Sequence, residues 1–143
     1  MPRRIPDLQL WIAASERREL LRVLGIVGVN VGEGFAEYRI TPTHASEDGR
    51  GSVASFATTI AADMGVLVAA STSLDTDIEE NNGTAELNMT FVERPVGPLL
   101  VRCEVASGSP YMRVVLATAR DDRGVLVAHG RGTFAVRPKR VEK

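Results

Sequence analysis

Between Arg50 and Asp75 the chain carries one charge, Asp63. Every other residue there is Ala, Val, Ile, Leu, Phe, Met, Gly, Ser or Thr. A run of this length and composition predicts a long helix, from the Gly49–Ser52 segment to Ala70, buried on most sides. Ser52, Ser55, Thr59 and Asp63 follow at spacings of three, four and four, so they share one face of it. The result is a narrow polar stripe that ends in a carboxylate. A membrane span has the right length, but a mid-span Asp costs about 2.5–3.5 kcal/mol to insert and the Ala, Ser and Thr content dilutes the hydrophobicity. A core helix with one solvated Asp is the plain alternative. Asp63 lies well inside the run, where a pocket or an interface accounts for it better than open solvent. At the start, glycines flank Arg50 and Ser52 is placed to act as N-cap, with the free N–H groups of the first turn pointing outward.

The remaining sequence narrows the class. At 143 residues, with 44% hydrophobic and 24% charged content, the chain suits one soluble domain with a sizeable core. A net charge of −1 supplies no field that would draw it to nucleic acid or to a membrane. Arg3-Arg4 and Arg137 to Lys143 read as solvated basic ends. Cys103 is the sole cysteine, which rules out an internal disulfide and a cysteine-based metal cluster. No metal site and no cofactor are expected. Met1-Pro2-Arg3-Arg4 leads into a mixed helix rather than an apolar run, so a cytoplasmic location is expected.

In order, residues 7–24 predict a helical cover, broken near Ser15. Residues 25–31 predict a strand and Gly32-Glu33-Gly34 a turn. Phe35 to Ile40 alternates, with Ala36, Tyr38 and Ile40 on one face. Residues 41–48 form a polar loop holding His44, and residues 71–82 a polar connection after the helix. Four strands follow, near 84–92, 99–107, 111–120 and 125–136. In the first, Ala85, Leu87, Met89 and Phe91 take one face and Thr84, Glu86, Asn88 and Thr90 the other. Gly130 and Gly132 leave one face of the last strand bare, where a helix or another backbone can approach. The fold class is α+β: an antiparallel sheet wrapped around a long central helix. The expected organisation is a cover over 1–24, a core over 25–136 and a basic tail over 137–143.

These elements, with these residues, resemble the hotdog-fold thioesterases of the phenylacetate-degradation (PaaI-like) type over residues 23–136. Thr84-Ala85-Glu86-Leu87-Asn88-Met89-Thr90-Phe91-Val92-Glu93-Arg94-Pro95 is similar to the family's strand after the helix. Asp121 to Ala128, followed by Gly132-Thr133-Phe134, resembles its last hairpin. The family's His-Gly-Gly is Arg50-Gly51-Ser52 here. Its catalytic Asp or Glu, nine residues past the His, is Thr59, and its Asn or Gln six residues before the His is His44. The resemblance implies an acyl-CoA thioester as substrate. It also implies a homodimer paired through strand 84–92, often assembled to a tetramer, with active sites shared between protomers.

Thioester hydrolysis needs a polarised carbonyl and an activated water. Gly51 matches the family glycine whose backbone N–H polarises the carbonyl. Thr59 is no base at neutral pH. Asp63, one turn on along the same face, is the candidate base, with Thr59 placing the water, and His44 is a second candidate base. Arg50, Ser52, Asn88, Arg94, Ser109 and Tyr111 are candidate substrate and CoA contacts, the last two by position beside a hairpin turn. His129 reads as structural, and nothing near Cys103 in sequence lowers its pKa. Two further functions stay open: binding of an acyl thioester without hydrolysis, and a dehydratase or hydratase built on Asp63 and His44.

Overall fold

In the computed structural model residues 18–140 are described; the part of the predicted 7–24 helical cover before residue 18 and the end of the basic tail lie outside them. The elements run α1 (Glu19–Leu24), β1 (Ile26–Gly32), β2 (Phe35–Ile40), α2 (Ser55–Thr72), β3 (Glu79–Phe91), β4 (Leu99–Ser109), β5 (Met112–Asp121) and β6 (Leu126–Pro138). Six strands form one sheet in the order β1-β2-β4-β5-β6-β3, every neighbouring pair antiparallel.

α2 packs against one face of this sheet. Its Ala57, Ala61, Ala62, Val66, Ala69 and Ala70 are fully shielded from solvent and meet Tyr38, Ile40, Val101, Cys103, Val115 and Phe134 from the strands. The small alanines let the helix axis come close, and the branched and aromatic strand residues fill the space between. By length and composition alone α2 could cross a membrane, yet 67% of it is buried inside the fold. It is a core helix.

The glycines of β6 have the expected use. A methyl group on Gly132 would stand 2.6 Å from Val66 Cγ2 of α2, and one on Gly130 would strike the backbone oxygen of Asn88 on β3. The bare face is where helix and edge strand press in.

Three expectations need correction. The helix starts later than predicted: its N-cap is Ala54, with no side-chain cap, and Ser52 lies outside it. Gly49 and Gly51 take left-handed backbone (φ +83° and +82°), and a bridge between Glu47 and Val53 closes the loop first. The connection after the helix is shorter than residues 71–82. Ser71 and Thr72 stay helical and buried, and Glu79 to Asn82 already belong to β3. Thr72 Oγ1 donates to Ala69 O at 2.8 Å and accepts the N–H of Gly34 at 2.8 Å, so the last turn is pinned to the β1–β2 turn. Finally, Thr84 does not share a face with Glu86, Asn88 and Thr90, because the register of β3 shifts on both sides of it.

Candidate functional site

Thr59 and Asp63 project from one side of α2, roughly 6 Å apart along its axis. They line a cleft of about 560 Å³ with Ile60 and Met64 of the same helix, Leu20 and Leu21 of α1, and residues 84–87 of β3. Its wall is mostly apolar; Asp63 is the charge the helix contributes, and Glu86 of β3 and Arg18 ahead of α1 also line it. Thr84 Oγ1 donates to Asp63 Oδ1 at 2.9 Å. Thr59 Oγ1 donates to Ser55 O at 2.9 Å, so its hydroxyl proton is spent on the helix while its oxygen can still accept.

The segment ahead of α2 forms a second cluster. Asp48 Oδ1 accepts the N–H groups of Arg50 (2.9 Å) and Ser52 (3.2 Å), and Glu47 Oε2 accepts that of Gly51 (2.7 Å). Burial raises the Asp48 carboxyl, but the two backbone N–H groups and the Arg94 charge outweigh it, and the net direction is down. Arg94 closes the loop from the other side: Nε donates to Ser52 Oγ at 2.9 Å and Nη2 to the Arg50 carbonyl at 3.2 Å, with Asp48 Oδ2 3.4 Å away. Arg94 and Ser52 thus brace this loop, and the Gly51 N–H meets Glu47 within the chain. The N–H groups of Ser55 and Phe56, at the head of α2, meet no partner among the described residues.

A third cluster sits at the β4–β5 turn. Tyr111 is 67% exposed, and its N–H donates to Ser109 Oγ at 3.2 Å. Beside it a cleft of about 440 Å³ contains Ser109 and Arg113. The Arg113 guanidinium is held by Glu79 (3.0 and 3.2 Å), Ser73 Oγ (3.1 Å) and the Ser109 carbonyl (2.5 Å), and so ties β3, β5 and the end of α2 together.

Of the sequence candidates, Thr59 and Asp63 meet in one cleft; Arg50, Gly51, Ser52 and Arg94 meet in another place; Ser109 and Tyr111 meet in a third. His44 is exposed in the loop before α2 and does not line the Thr59–Asp63 cleft. Asn88 is exposed on β3 opposite Arg131. Burial pushes the Cys103 thiol up to about 12, with the Asp63 charge adding to the effect, which agrees with its exclusion as a nucleophile. Among the described residues no group of three His, Cys, Asp or Glu side chains is placed to hold a metal ion.

Sequence reasoning missed Thr84, Glu47 and Asp48. Asp48 carried a legible signal, an Asp two residues before Arg50 in a glycine-rich turn. Thr84 carried only a weak one, the turn-prone Asn81-Asn82-Gly83 that precedes it.

No protein-family model matches the sequence, and no curated protein matches it. Solved structures do match in shape. A mutant thioesterase from Pseudomonas aeruginosa is similar with a TM-score of 0.82 at 18% identity, over 96% of this chain and 98% of that one. A thioesterase from Haemophilus influenzae gives 0.77 at 17% identity, over 87% of each chain. The E. coli PaaI protein from the phenylacetic acid degradation operon gives 0.73 at 20% identity, over 93% of each. At these identities the likeness is one of fold: the chain has the α+β hotdog architecture of these proteins, a six-stranded antiparallel sheet packed against one long helix.

Proposed function

We propose that this chain hydrolyses acyl thioesters, with acyl-CoA as the substrate class, at the Thr59–Asp63 cleft. The observation that carries the reading is the helix carboxylate of Asp63 opening into an apolar-walled cleft beside the Thr59 hydroxyl. Its Oδ1 is engaged by Thr84, which leaves Oδ2 to take a proton from water. The water oxygen bonds to the thioester carbonyl carbon. The tetrahedral adduct then collapses, the C–S bond breaks, and the thiolate leaves with the proton returned from Asp63. Thr59 Oγ1 accepts a hydrogen bond from the attacking water. The developing oxyanion is stabilised by N–H groups at the head of α2. For Gly51 to serve there, Glu47 has to release its N–H.

In this reading the donors come from a second copy. Among the described residues β3 ends the sheet and pairs only with β6, and in this reading its other edge takes the β3 of a partner. That pairing sets the head of one α2 across from the Asp63 of the other, and tetramers arise by further packing of such dimers. Asn88, Arg94, Ser109 and Tyr111 then contact CoA. A dehydratase needs Asp63 and His44 on one carbon, and His44 lies outside the cleft within one chain. Binding without hydrolysis is the second reading: by the resemblance Thr59 stands where the family has its acid, and the Thr59 hydroxyl proton is given to Ser55 O.

Thiol release from a panel of acyl-CoA thioesters tests the proposal. Wild type should turn over at least one. Asp63→Asn should lower kcat by about 10²–10⁴, the worth of a general base, and Thr59→Ala by about tenfold or less. Binding of an acyl-CoA with no thiol released would select the non-catalytic reading. Full activity in Asp63→Asn would move the base to His44 or another group.

A further inference from the structure

β3 is not a regular strand where it passes Asp63. Leu87 and Met89 face the helix, opposite Gly132 and Gly130. Strict alternation backward from Leu87 would turn Ala85 inward and Thr84 outward. Instead Thr84 pairs with Phe134 and Glu86 with Thr133, so Ala85 is an extra residue on β3. A second irregularity lies just upstream, between Asn81 and Thr84. It is held by Gly83, whose φ is +88° and whose N–H donates to Asn81 Oδ1 at 2.6 Å. Bulges bend a strand and re-aim a side chain. Here two of them flank one residue, and that residue's hydroxyl donates to the carboxylate of the central helix at 2.9 Å.

We infer that Thr84 is a positioning residue for Asp63, and that the paired irregularities of β3 exist to aim it. An Asp side chain on a helix face turns about two bonds in solvent. A hydrogen bond from the strand to Oδ1 selects one orientation and leaves Oδ2 free beside Thr59 for the reacting water. A hydroxyl suits this task, because it donates without adding a charge that would compete for the proton. The inference rests on the proposed role of Asp63 as base.

Thr84→Val keeps the shape and removes the donor, while Thr84→Ser restores it. With an acyl-CoA that wild type hydrolyses, Thr84→Val should lower kcat about tenfold, the scale of one hydrogen bond, with KM unchanged. Thr84→Ser should recover most of the rate. In the Asp63→Asn background Thr84→Val should cost nothing further, because it acts through the carboxylate. Side-chain three-bond couplings by NMR, an independent readout, should show one χ1 rotamer for Asp63 in wild type and in Thr84→Ser, and averaging in Thr84→Val. A single Asp63 rotamer retained in Thr84→Val overturns the inference, as does a rise in KM alone or a full loss in the Asp63→Asn background. These results leave Asp63 itself standing if Asp63→Asn is slow. Full activity in Asp63→Asn, or no thiol released by wild type, overturns the proposed function and this inference with it.

Discussion

Asp121 ends β5 with its carboxylate shielded from solvent and five donors around it. Arg123 supplies Nε (3.0 Å) and Nη2 (2.8 Å), and the backbone N–H groups of Val96, Arg123 and Val125 approach at 3.0, 2.9 and 3.3 Å. The Arg123 side chain is the largest cause holding this carboxyl down, from an ordinary 3.8 to about 2; burial opposes it and the backbone donors assist. The folded state therefore holds the proton less readily than the unfolded chain. That stabilisation is complete above the unfolded value of 3.8 and is lost as the pH falls through about 2. Thermal melts of wild type should lose stability across this window, and Asp121→Asn should melt lower at neutral pH with a flatter acid branch. Parallel acid branches in the two proteins would show that Asp121 does not carry the effect. The residue was legible as part of an Asp-Asp-Arg-Gly turn, but its reach to Val96 joins segments 25 positions apart, and only folding brings those together.

At the level of elements, the contact between α2 and β6 rests on missing side chains. Gly132 faces Val66, and Val66 is fully buried, so its methyl groups have nowhere to retreat. Gly132→Ala should destabilise the protein by about 1–3 kcal/mol through overpacking, read as a lower midpoint in urea with an unchanged slope. The paired change Gly132→Ala with Val66→Ala should recover part of the loss, and no recovery would place the strain elsewhere. The spacing of Gly130 and Gly132 was visible in the sequence as a bare strand face. What pressed against that face was not, because α2 and β6 lie more than fifty residues apart in the chain. The helix itself was legible from its composition. Its first turn was not, since the hydrogen bonds from Arg50, Gly51 and Ser52 to Asp48 and Glu47 compete locally with helix formation and delay it to Ser55.

For the whole molecule, the open edge of β3 and the apolar groups near it set the expected assembly. Phe56 is 52% exposed on α2, and Phe91 and Val92 at the end of β3 are 45% and 52% exposed. An edge strand with apolar neighbours is a template for pairing. Sedimentation or light scattering at micromolar concentration should show a dimer or a tetramer, and Phe91→Lys should shift it toward monomer. A monomeric wild type would remove the shared-site part of the proposed mechanism. The sequence by itself determined the element order, the inward face of β2, the buried helix and its one charged position, because periodicity and composition are local properties of the chain. Tertiary structure alone decided which side chains meet: Thr84 on Asp63 through two shifts of register, Arg94 on Ser52, and His44 outside the cleft. Those pairings depend on how far strands slide against each other, and a change of one residue in register turns a side chain to the other face.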